Sequence, residues 1–336
     1  MLLIDFYKKL LPAILLADPE SAHDFVVRAL SVIDRVIPRS WPSKAPGIRI
    51  AGIDFSNPIG LAAGFDKNGE FTNVMAALGF GFIEVGTITP RPQSGNEKPR
   101  IFRLPEEKAL INRLGFNSQG CEAVVKNLQR RTHRVPVGIN VGPNRDDSPS
   151  VSRFSVLDAM VKLSPFADYL VLNLSSPNTP NLRSQLEASP DTLDHFRTGL
   201  DEAEVKTPLF LKISPDMAND VLEQVLLSAV KNKIAALIAT NTTVTRTSLS
   251  EDSIGQMLPG GLSGQPLKER SSSMIRRIYS MIGEEIPIIG VGGISTPEDV
   301  EEKMDSGAKL VQLYTGLIYE GPGLPAYLAK NFNKNE

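Results

Sequence analysis

The stretch YLVLNLSSPN, residues 169–178, decides which fold the chain adopts. Its apolar run ends abruptly in amides, hydroxyls and a proline, which predicts a buried strand that runs into a polar loop. Such a loop suits a small polar substrate, and a hydroxyl within it suits proton transfer. The same residue types also form ordinary turns, so the segment alone leaves a plain turn open. The rest of the chain has to decide between the two.

The same succession of apolar run, polar or glycine-rich loop and helix-like stretch recurs from about residue 58 onward. Eight apolar runs are predicted as strands: residues 59–63, 82–86, 135–141, 169–174, 209–213, 236–239, 287–291 and 310–314. Helices are predicted at residues 69–78, 117–131, 151–163, 189–203, 216–231, 267–282, 297–306 and 323–333. Because the runs are apolar almost throughout, each strand is expected to be buried on both faces, as in a parallel sheet.

Eight such units predict an α/β fold of the (β/α)8 TIM barrel type. The main alternative is a doubly wound open sheet, which usually carries a GxGxxG phosphate fingerprint after its first strand. Residues 60–67 read GLAAGFDK and do not match that fingerprint. The barrel is therefore the favoured fold, and catalytic residues are expected at the carboxyl ends of its strands.

The composition is that of an ordinary globular protein of 336 residues, with 41% hydrophobic residues, 22% charged residues and a net charge of −2. No basic arm and no interleaving of basic with aromatic residues is present, which argues against nucleic acid as a partner. The single cysteine, Cys121, excludes an internal disulfide. No CxxC or HExxH motif occurs, and His23, His133 and His195 lie far apart, so no metal site is predicted.

The first 17 residues, MLLIDFYKKLLPAILLA, are strongly apolar but do not predict a membrane span. They fall short of the roughly 20 residues that a spanning helix needs, and Asp5, Lys8, Lys9 and Pro12 interrupt them. The short, broken apolar core also argues against a signal peptide. Two interpretations stay open: a helix that lies on a membrane surface or covers an apolar entrance, and a helix packed on the protein's own core.

A second helix is predicted to begin at Asp18-Pro19, with Asp18 as its N-cap and Pro19 in its first turn. Pro38, Pro42 and Pro46 then break the chain. We therefore predict two domains, a helical extension over residues 1–45 and a barrel over residues 46–336.

Polar side chains interrupt or end the predicted strands at positions that look buried. Lys212 lies within the apolar run LFLKI, where a buried lysine is costly unless it has a partner. Asn140 and Asn173 interrupt apolar runs too, where an amide needs fixed hydrogen-bond partners. Gly292-Gly293 and Thr315-Gly316 follow the last two strands, where such barrels commonly hold a phosphate. These strand ends predict a large polar ligand in the barrel mouth, and the long excursion over residues 87–117 is expected to be functional.

These motifs closely resemble those of dihydroorotate dehydrogenase, in the same order and over nearly the whole chain. The similar segments are AGFDK at 63–67, GTITPRP at 86–92, NRLGFN at 112–117, NLSSPNTP at 173–180, ATNTT at 239–243, GGLSG at 260–264 and GVGGI at 290–294. The resemblance implies an FMN-containing barrel that oxidises dihydroorotate to orotate in pyrimidine biosynthesis. It implies the quinone-dependent class 2, because Ser176 stands where class 1 enzymes have a cysteine and because the helical extension is a class 2 trait.

The resemblance also implies a role for each matching position. Ser176 is the implied catalytic base, which takes a proton from C5 of dihydroorotate while a hydride leaves C6 for the flavin. The implied FMN contacts are Ala63, Gly64, Phe65, Asp66, Lys67, Thr87, Asn140, Asn173, Lys212, Thr240, Gly264, Gly293, Tyr314 and Thr315. The implied substrate contacts are Lys67, Asn112, Arg113, Leu114, Gly115, Phe116, Asn173, Asn178, Asn241 and Thr242. The implied quinone passage lies near His23, Arg103 and Tyr314.

The partners implied by the resemblance are dihydroorotate, orotate and a membrane quinone, and the implied state is a monomer. Since the chain shows no arginine-rich transit peptide, we expect peripheral attachment to the cytoplasmic side of a bacterial cell membrane. Two alternatives stay open. One is a soluble member of the family that uses fumarate or NAD, and the other is a non-catalytic barrel that only binds a flavin or phosphate ligand.

Overall fold

The computed structural model describes residues 2–37, 47–133, 135–179 and 191–332. Eight parallel strands close into a barrel, in which each strand pairs with its predecessor and the last pairs with the first. They are β3 (Ile59–Leu61), β4 (Phe82–Ile88), β7 (Val137–Val141), β8 (Tyr169–Asn173), β9 (Leu209–Ile213), β10 (Ala236–Ala239), β12 (Ile288–Val291) and β13 (Ala308–Leu313). The TIM barrel prediction is confirmed, while the predicted domain boundary near residue 45 lies outside the described residues.

Helices follow the barrel strands and cover the sheet from outside. They are α3 (Thr72–Ala77), α4 (Cys121–Leu128), α5 (Pro149–Leu163), α6 (Asp191–Glu202), α7 (Asn219–Lys231), α8 (Lys268–Ile282), α9 (Pro297–Asp305), α10 (Thr315–Glu320) and α11 (Leu324–Asn331). The sequence did not predict α10, a short helix that begins directly after the last strand. Three 3-10 turns, Ser164–Phe166, Ile254–Gln256 and Gln265–Leu267, add to the helical elements of the described residues.

Two smaller sheets, which the sequence did not predict, close the two ends of the barrel region. A hairpin of β1 (Ile48–Ile50) and β2 (Ile53–Phe55) precedes the first barrel strand. A three-stranded antiparallel sheet joins β5 (Ile101–Leu104), β6 (Ala109–Asn112) and β11 (Gly261–Gly264). The predicted excursion after the second barrel strand is therefore an ordered hairpin that recruits a glycine-rich segment from far along the chain.

Aromatic rings fill the interior of the barrel because glycines on neighbouring strands leave room for them. A Cβ atom on Gly60 would lie 2.3 Å from the ring of Phe82, and one on Gly138 would lie 2.0 Å from the ring of Tyr169. The Tyr169 ring in turn stacks on Phe210, with 4.4 Å between the ring centroids. Side chains alternate along each strand, so the next inward positions lie one layer nearer to the carboxyl ends. Three of them are polar, namely Glu84 after Phe82, Asn140 after Gly138 and Lys212 after Phe210.

The helical extension consists of α1 (Leu2–Leu16) and α2 (Pro19–Asp34). The predicted N-cap is confirmed, since the Asp18 side chain accepts a hydrogen bond from the Ser21 N–H at 2.8 Å. A buried ion pair docks α2 on the barrel domain, with 2.8 Å between Arg100 Nη2 and Glu20 Oε1. None of the described helices is both long enough and apolar enough to cross a membrane.

Further polar contacts hold each end of the extension. In α1, the Tyr7 hydroxyl donates to the Ile318 carbonyl at 2.7 Å. At the end of α2, the Asp34 carboxylate accepts from the Val74 N–H at 2.8 Å, which caps α3. The extension therefore packs on its own protein along both helices. It also leaves large apolar side chains exposed, among them Phe6, Leu16, Phe25, Val32 and Val36.

Candidate active site

A cavity opens at the carboxyl ends of the barrel strands. Most residues that the motifs singled out line it, although they come from nine separate segments of the chain. These are Ala63, Gly64, Lys67, Thr87, Asn112, Leu114, Gly115, Phe116, Asn173, Ser176, Asn178, Lys212, Thr240, Asn241, Thr242, Gly264, Gly293, Tyr314 and Thr315. The barrel thus gathers the predicted site into one place.

Buried amides and hydroxyls from three neighbouring strands form a continuous hydrogen-bonded chain beside the cavity. The Thr87 hydroxyl donates to Asn140 Oδ1 at 2.7 Å. Asn173 Nδ2 donates to Thr87 Oγ1 and to Asn140 Oδ1, at 3.0 Å each. The expectation that buried Asn140 and Asn173 have fixed partners is confirmed.

Lys212 has the partner that its burial demands. Its Nζ lies 3.2 Å from Oε1 of Glu84, whose side chain is completely buried on β4. Glu84 also accepts from Asn140 Nδ2 at 2.7 Å and from Gln312 Nε2 at 2.6 Å. Glu84 was not among the predicted site residues, although it carries the same signal as Lys212, a lone charge within an apolar run.

The loop after β8 places Ser176 in the cavity together with two amides. Ser176 Oγ accepts a hydrogen bond from the Asn178 backbone N–H at 3.2 Å. The Asn178 side chain donates to Asn112 Oδ1 at 3.2 Å, which ties this loop to β6. On its other side, Asn241 Nδ2 donates to Ser175 Oγ at 3.0 Å. The loop is thus held between two parts of the site and is not a plain turn.

Glycine backbone forms one wall of the cavity. Gly293 has φ +73°, and a Cβ atom there would lie 2.4 Å from Cβ and 2.6 Å from Cα of Lys268. Gly264 has φ +94°, and a Cβ atom there would lie 2.3 Å from the Lys108 carbonyl oxygen. At both positions, therefore, only bare backbone fits, and peptide groups without side chains are well suited to contact a phosphate.

Lys67, a predicted contact of both cofactor and substrate, is joined to the helical extension by a hydrogen bond. Its Nζ lies 3.1 Å from Nε2 of His23 on α2. Burial lowers the pKa of Lys67 to about 8. Burial and the neighbouring Lys67 ammonium lower the pKa of His23 to about 3. At neutral pH, His23 is therefore neutral and accepts a hydrogen bond from a charged lysine.

Phe65 and Asp66 were predicted as cofactor contacts, but the structure places neither in the cavity wall. The Asp66 carboxylate turns into its own loop and accepts from the backbone N–H groups of Glu70 at 2.8 Å and Phe71 at 3.1 Å. Burial raises its pKa to about 7. The Phe65 ring packs edge-on against the rings of His23 and Tyr314, with 5.7 Å between centroids in each case. Both residues support the wall from behind.

Three further predicted residues also lie behind the lining. Asn140 reaches the site only through Thr87 and Asn173, as described above. The Arg113 guanidinium donates to the Pro99 carbonyl at 2.9 Å, which turns it away from the cavity. Arg103 donates to the carbonyls of Ile14 and Ala17 at the end of α1, at 3.0 and 2.9 Å. Its observed contacts therefore anchor the extension.

Apolar residues of the three-stranded sheet complete the cavity, and the sequence did not single them out. Ile101 on β5 and Leu110 on β6 line it together with Leu267. Nothing in their local sequence marks Ile101 and Leu110, because their position depends on the pairing of β5 with β6 and of β6 with β11. Ile101 and Leu110 make one side of the cavity apolar. This side is formed by the β5–β6 hairpin, which also contacts α1 and α2.

Comparison with known proteins gives a consistent result. The sequence model of the family described as dihydroorotate dehydrogenase matches residues 47–335. The chain is 45% identical over 325 residues to the dihydroorotate dehydrogenase (quinone) of Vibrio cholerae serotype O1, covering 94% of this chain and 96% of that protein. It is 45% identical over 329 residues to the protein of the same name from Roseiflexus sp. (strain RS-1), covering 95% and 91%.

Solved structures agree with this assignment. The fold superposes on DHODH from Eimeria tenella in complex with ferulenol with a TM-score of 0.86 and 36% identity, covering 94% of this chain and 90% of that one. The ligand-free form of the Eimeria tenella protein gives a TM-score of 0.85 and 37% identity, covering 93% of each chain. Both the sequence and the fold lead to the same conclusion: the chain belongs to the dihydroorotate dehydrogenase family.

Proposed function

We propose that this protein oxidises dihydroorotate to orotate in pyrimidine biosynthesis and delivers the electrons to a quinone. The observation that carries the proposal is that Ser176, Lys67, Asn112, Asn178 and Asn241 line one cavity. A hydroxyl, a cation and several amides are the groups needed to take a proton, hold a carboxylate and orient a planar amide-bearing ring. The relatives named dihydroorotate dehydrogenase (quinone) support the same proposal.

We propose FMN as the cofactor, and the residues present fit it in two respects. Lys212 and Thr240 offer polar groups to a flavin ring, and Gly264 and Gly293 offer bare backbone to its phosphate. When bound, FMN would supply the hydride acceptor for the substrate and the electron carrier between substrate and quinone. Removal of the substrate proton and orientation of the substrate are proposed to depend on the protein's own side chains.

Ser176 is proposed to take the substrate proton, and its surroundings support that role. A serine hydroxyl is a poor base unless neighbours stabilise the charge that develops on its oxygen. The Asn178 N–H, which donates to Ser176 Oγ at 3.2 Å, supplies such stabilisation. Asn112 and Asn178, joined by their own hydrogen bond, are proposed to hold the substrate ring beside that oxygen. Lys67 is proposed to neutralise the substrate carboxylate.

Binding of orotate is expected to weaken as the pH rises through about 8. Burial lowers the pKa of Lys67 to about 8, so its positive charge is present below that pH and is lost above it. The attraction between Lys67 and an anionic ligand is therefore also lost as the pH rises. The dissociation constant, measured by calorimetry, is expected to be flat below about pH 7.5 and to rise by up to tenfold per pH unit above pH 8, because one proton is linked to binding.

The matched variant for this pH dependence is Lys67→Arg. A guanidinium stays charged over the whole pH range. The dissociation constant of orotate for this variant is therefore expected to stay constant up to pH 9.5, whatever its absolute value. A wild-type dissociation constant that does not change between pH 7 and pH 9.5 would rule out Lys67 as the group that holds the carboxylate.

The helical extension is proposed to border the route of the quinone and to attach the protein peripherally to the cytoplasmic side of the cell membrane. Edge-on ring contacts lead from His23 on α2 through Phe65 to Tyr314 in the cavity wall. Apolar Ile101 and Leu110 line the same cavity. Arg103 is proposed to act at this passage indirectly, by holding the end of α1. We further propose that the protein acts as a monomer, which sedimentation in mild detergent tests directly.

The double variant Leu16→Asp/Phe25→Asp is expected to lose membrane attachment. The two side chains are 90% and 73% exposed, and burying them in lipid would remove apolar surface from water. We expect at least a tenfold smaller bound fraction on phosphatidylcholine–phosphatidylglycerol vesicles, with unchanged reduction of the flavin by dihydroorotate. Phe154→Asp, at a 68% exposed position on α5, is the control and should bind as wild type does. Equal binding by all three proteins would exclude α1 and α2 as the attachment site.

The proposed function is tested on the purified holoprotein. Dihydroorotate added without oxygen should bleach the flavin absorbance, and a short-chain ubiquinone analogue should restore it. Restoration by fumarate or NAD in place of the quinone would instead identify a soluble-type acceptor. A yellow protein that dihydroorotate fails to bleach would be a binding barrel, and the proposal would be wrong.

A further inference from the structure

The carboxylate of Glu84 connects four of the eight barrel strands at one point. Glu84 lies on β4 and is completely buried. It receives hydrogen bonds from Asn140 on β7, Lys212 on β9 and Gln312 on β13. Two of these partners, Lys212 and Gln312, line the cavity, whereas Glu84 does not. It therefore acts on the site through other residues.

The contacts of Glu84 determine which way the neighbouring amides face. A carboxylate can only accept hydrogen bonds, so Asn140 must present its Nδ2 to it. Asn140 Oδ1 then faces away and accepts from Thr87 Oγ1 and Asn173 Nδ2. Because Asn173 uses its Nδ2 for these bonds, its Oδ1 is left facing the substrate loop. There it accepts from Ser175 Oγ at 3.0 Å.

The same order of donors and acceptors extends to the far side of the site. Because the Ser175 hydroxyl donates its hydrogen bond to Asn173 Oδ1, its oxygen is free to accept one from Asn241 Nδ2, at 3.0 Å. The Asn241 Oδ1 is thereby directed to the Thr242 N–H, at 2.8 Å. Every member of this chain has one orientation that satisfies its neighbours. Glu84 has no choice of orientation, because both of its oxygens are acceptors. The backbone N–H groups of Ser175 and Thr242, which can only donate, direct Asn173 Oδ1 and Asn241 Oδ1 in the same sense.

We propose that Glu84 is a positioning residue which sets the direction of the hydrogen-bonded chain Asn140–Asn173–Ser175–Asn241 and so presents the substrate loop in its binding orientation. Its second effect is to neutralise Lys212 within the barrel. A buried ion pair can also be merely structural, since burial of two charges often contributes little net stability. The two roles differ in what they predict, because only the positioning role affects substrate binding in a protein that still folds and holds its cofactor.

Glu84→Met removes the acceptor that Asn140 needs. We expect the dissociation constant for orotate, measured by calorimetry on the holoprotein, to rise about tenfold or more with FMN still bound, because a buried amide left without its partner turns or loses its hydrogen bonds. Glu84→Gln is expected to raise it by threefold at most. Its amide oxygen can replace Oε1 opposite Asn140, while its NH2 group faces Gln312, whose own amide can turn over to accept.

Asp168→Asn is the matched control, a carboxylate-to-amide change on the loop that leads into β8. It breaks the ion pair with Arg131, which measures 2.8 Å, and it does not touch the chain of amides. We expect a lower melting temperature and an unchanged dissociation constant for orotate. Glu84→Met with a wild-type dissociation constant would show that Glu84 is only structural. Glu84→Gln as damaging as Glu84→Met would assign the effect to charge and would also overturn the proposal.

If Glu84→Met retains no FMN, Asn140→Leu tests the same idea one bond further along and keeps the Glu84–Lys212 pair. It is expected to raise the dissociation constant about tenfold, and an unchanged constant would contradict the proposal.

The inference rests on the proposed function, yet the two fail differently. If the wild type binds no orotate, the function is wrong, whereas if it binds orotate and the variants bind equally well, only the role of Glu84 is wrong.

Discussion

Ser176→Ala is expected to slow the oxidation of dihydroorotate by about 10²- to 10⁴-fold while the protein keeps its flavin. Among the described residues of the β8 loop, Ser176 brings a proton-accepting hydroxyl into the cavity, beside Asn178 and Asn112. Removing one buried oxygen leaves a void smaller than a water molecule's share of space, so the fold should survive. The lost rate therefore measures the missing base and not a collapsed site.

The measurement is anaerobic stopped-flow bleaching of the flavin, and the neighbouring residue supplies the control. Ser175→Ala removes a hydroxyl of equal size from the same loop, but that hydroxyl bonds Asn173 and Asn241. We expect it to weaken orotate binding by about tenfold and to affect the rate at saturating substrate much less. Bleaching of Ser176→Ala at nearly the wild-type rate would exclude Ser176 as the base.

The barrel was predictable because each of its strands carries its own signal. Apart from Lys212, the run LFLKI at β9 is apolar on both faces, and that pattern is typical of a parallel sheet covered by helices. The unpredicted strands lack such a signal. β11 is the sequence GLSG, which has low strand propensity and pairs only because β6 lies beside it. The short hairpin of β1 and β2 depends likewise on the barrel end that it covers.

The site residues likewise fall into those that the local sequence predicts and those whose role depends on distant contacts. Lys212 and Asn173 were found because a polar residue in an apolar run is costly unless it has a partner. Glu84 has the same signature, but its importance depends on which three side chains reach it, and they are 56, 128 and 228 residues away in sequence. The turn of Asp66 away from the cavity is equally invisible in the motif AGFDK, since the direction of a side chain is set by its loop.

Gly293→Ala is expected to abolish FMN binding, which makes it the most damaging single change proposed for this protein. Gly293 has φ +73°, a backbone conformation that costs other residues roughly 1 kcal/mol, and here space is lacking as well. A Cβ atom would lie 2.4 to 2.9 Å from Cβ, Cα and N of Lys268. These atoms move only if the start of helix α8 moves, and there the Lys268 carbonyl accepts from Lys303 Nζ at 2.8 Å. The wall that faces the phosphate must therefore shift.

Gly283→Ala is the control that introduces the same kind of backbone strain without a steric clash. Gly283 ends the same helix α8 that Lys268 begins and has φ +56°, but a Cβ atom added there would meet nothing within 4 Å beyond its chain neighbours. It should lose about 1 kcal/mol of stability and purify with a full complement of flavin. Flavin content per chain, read from the absorbance of the purified protein, compares the two variants. If Gly293→Ala retained as much flavin as Gly283→Ala, the glycine wall would not be the phosphate site. A methyl group at Gly293 would then be tolerated, which a backbone in direct contact with the phosphate would not allow.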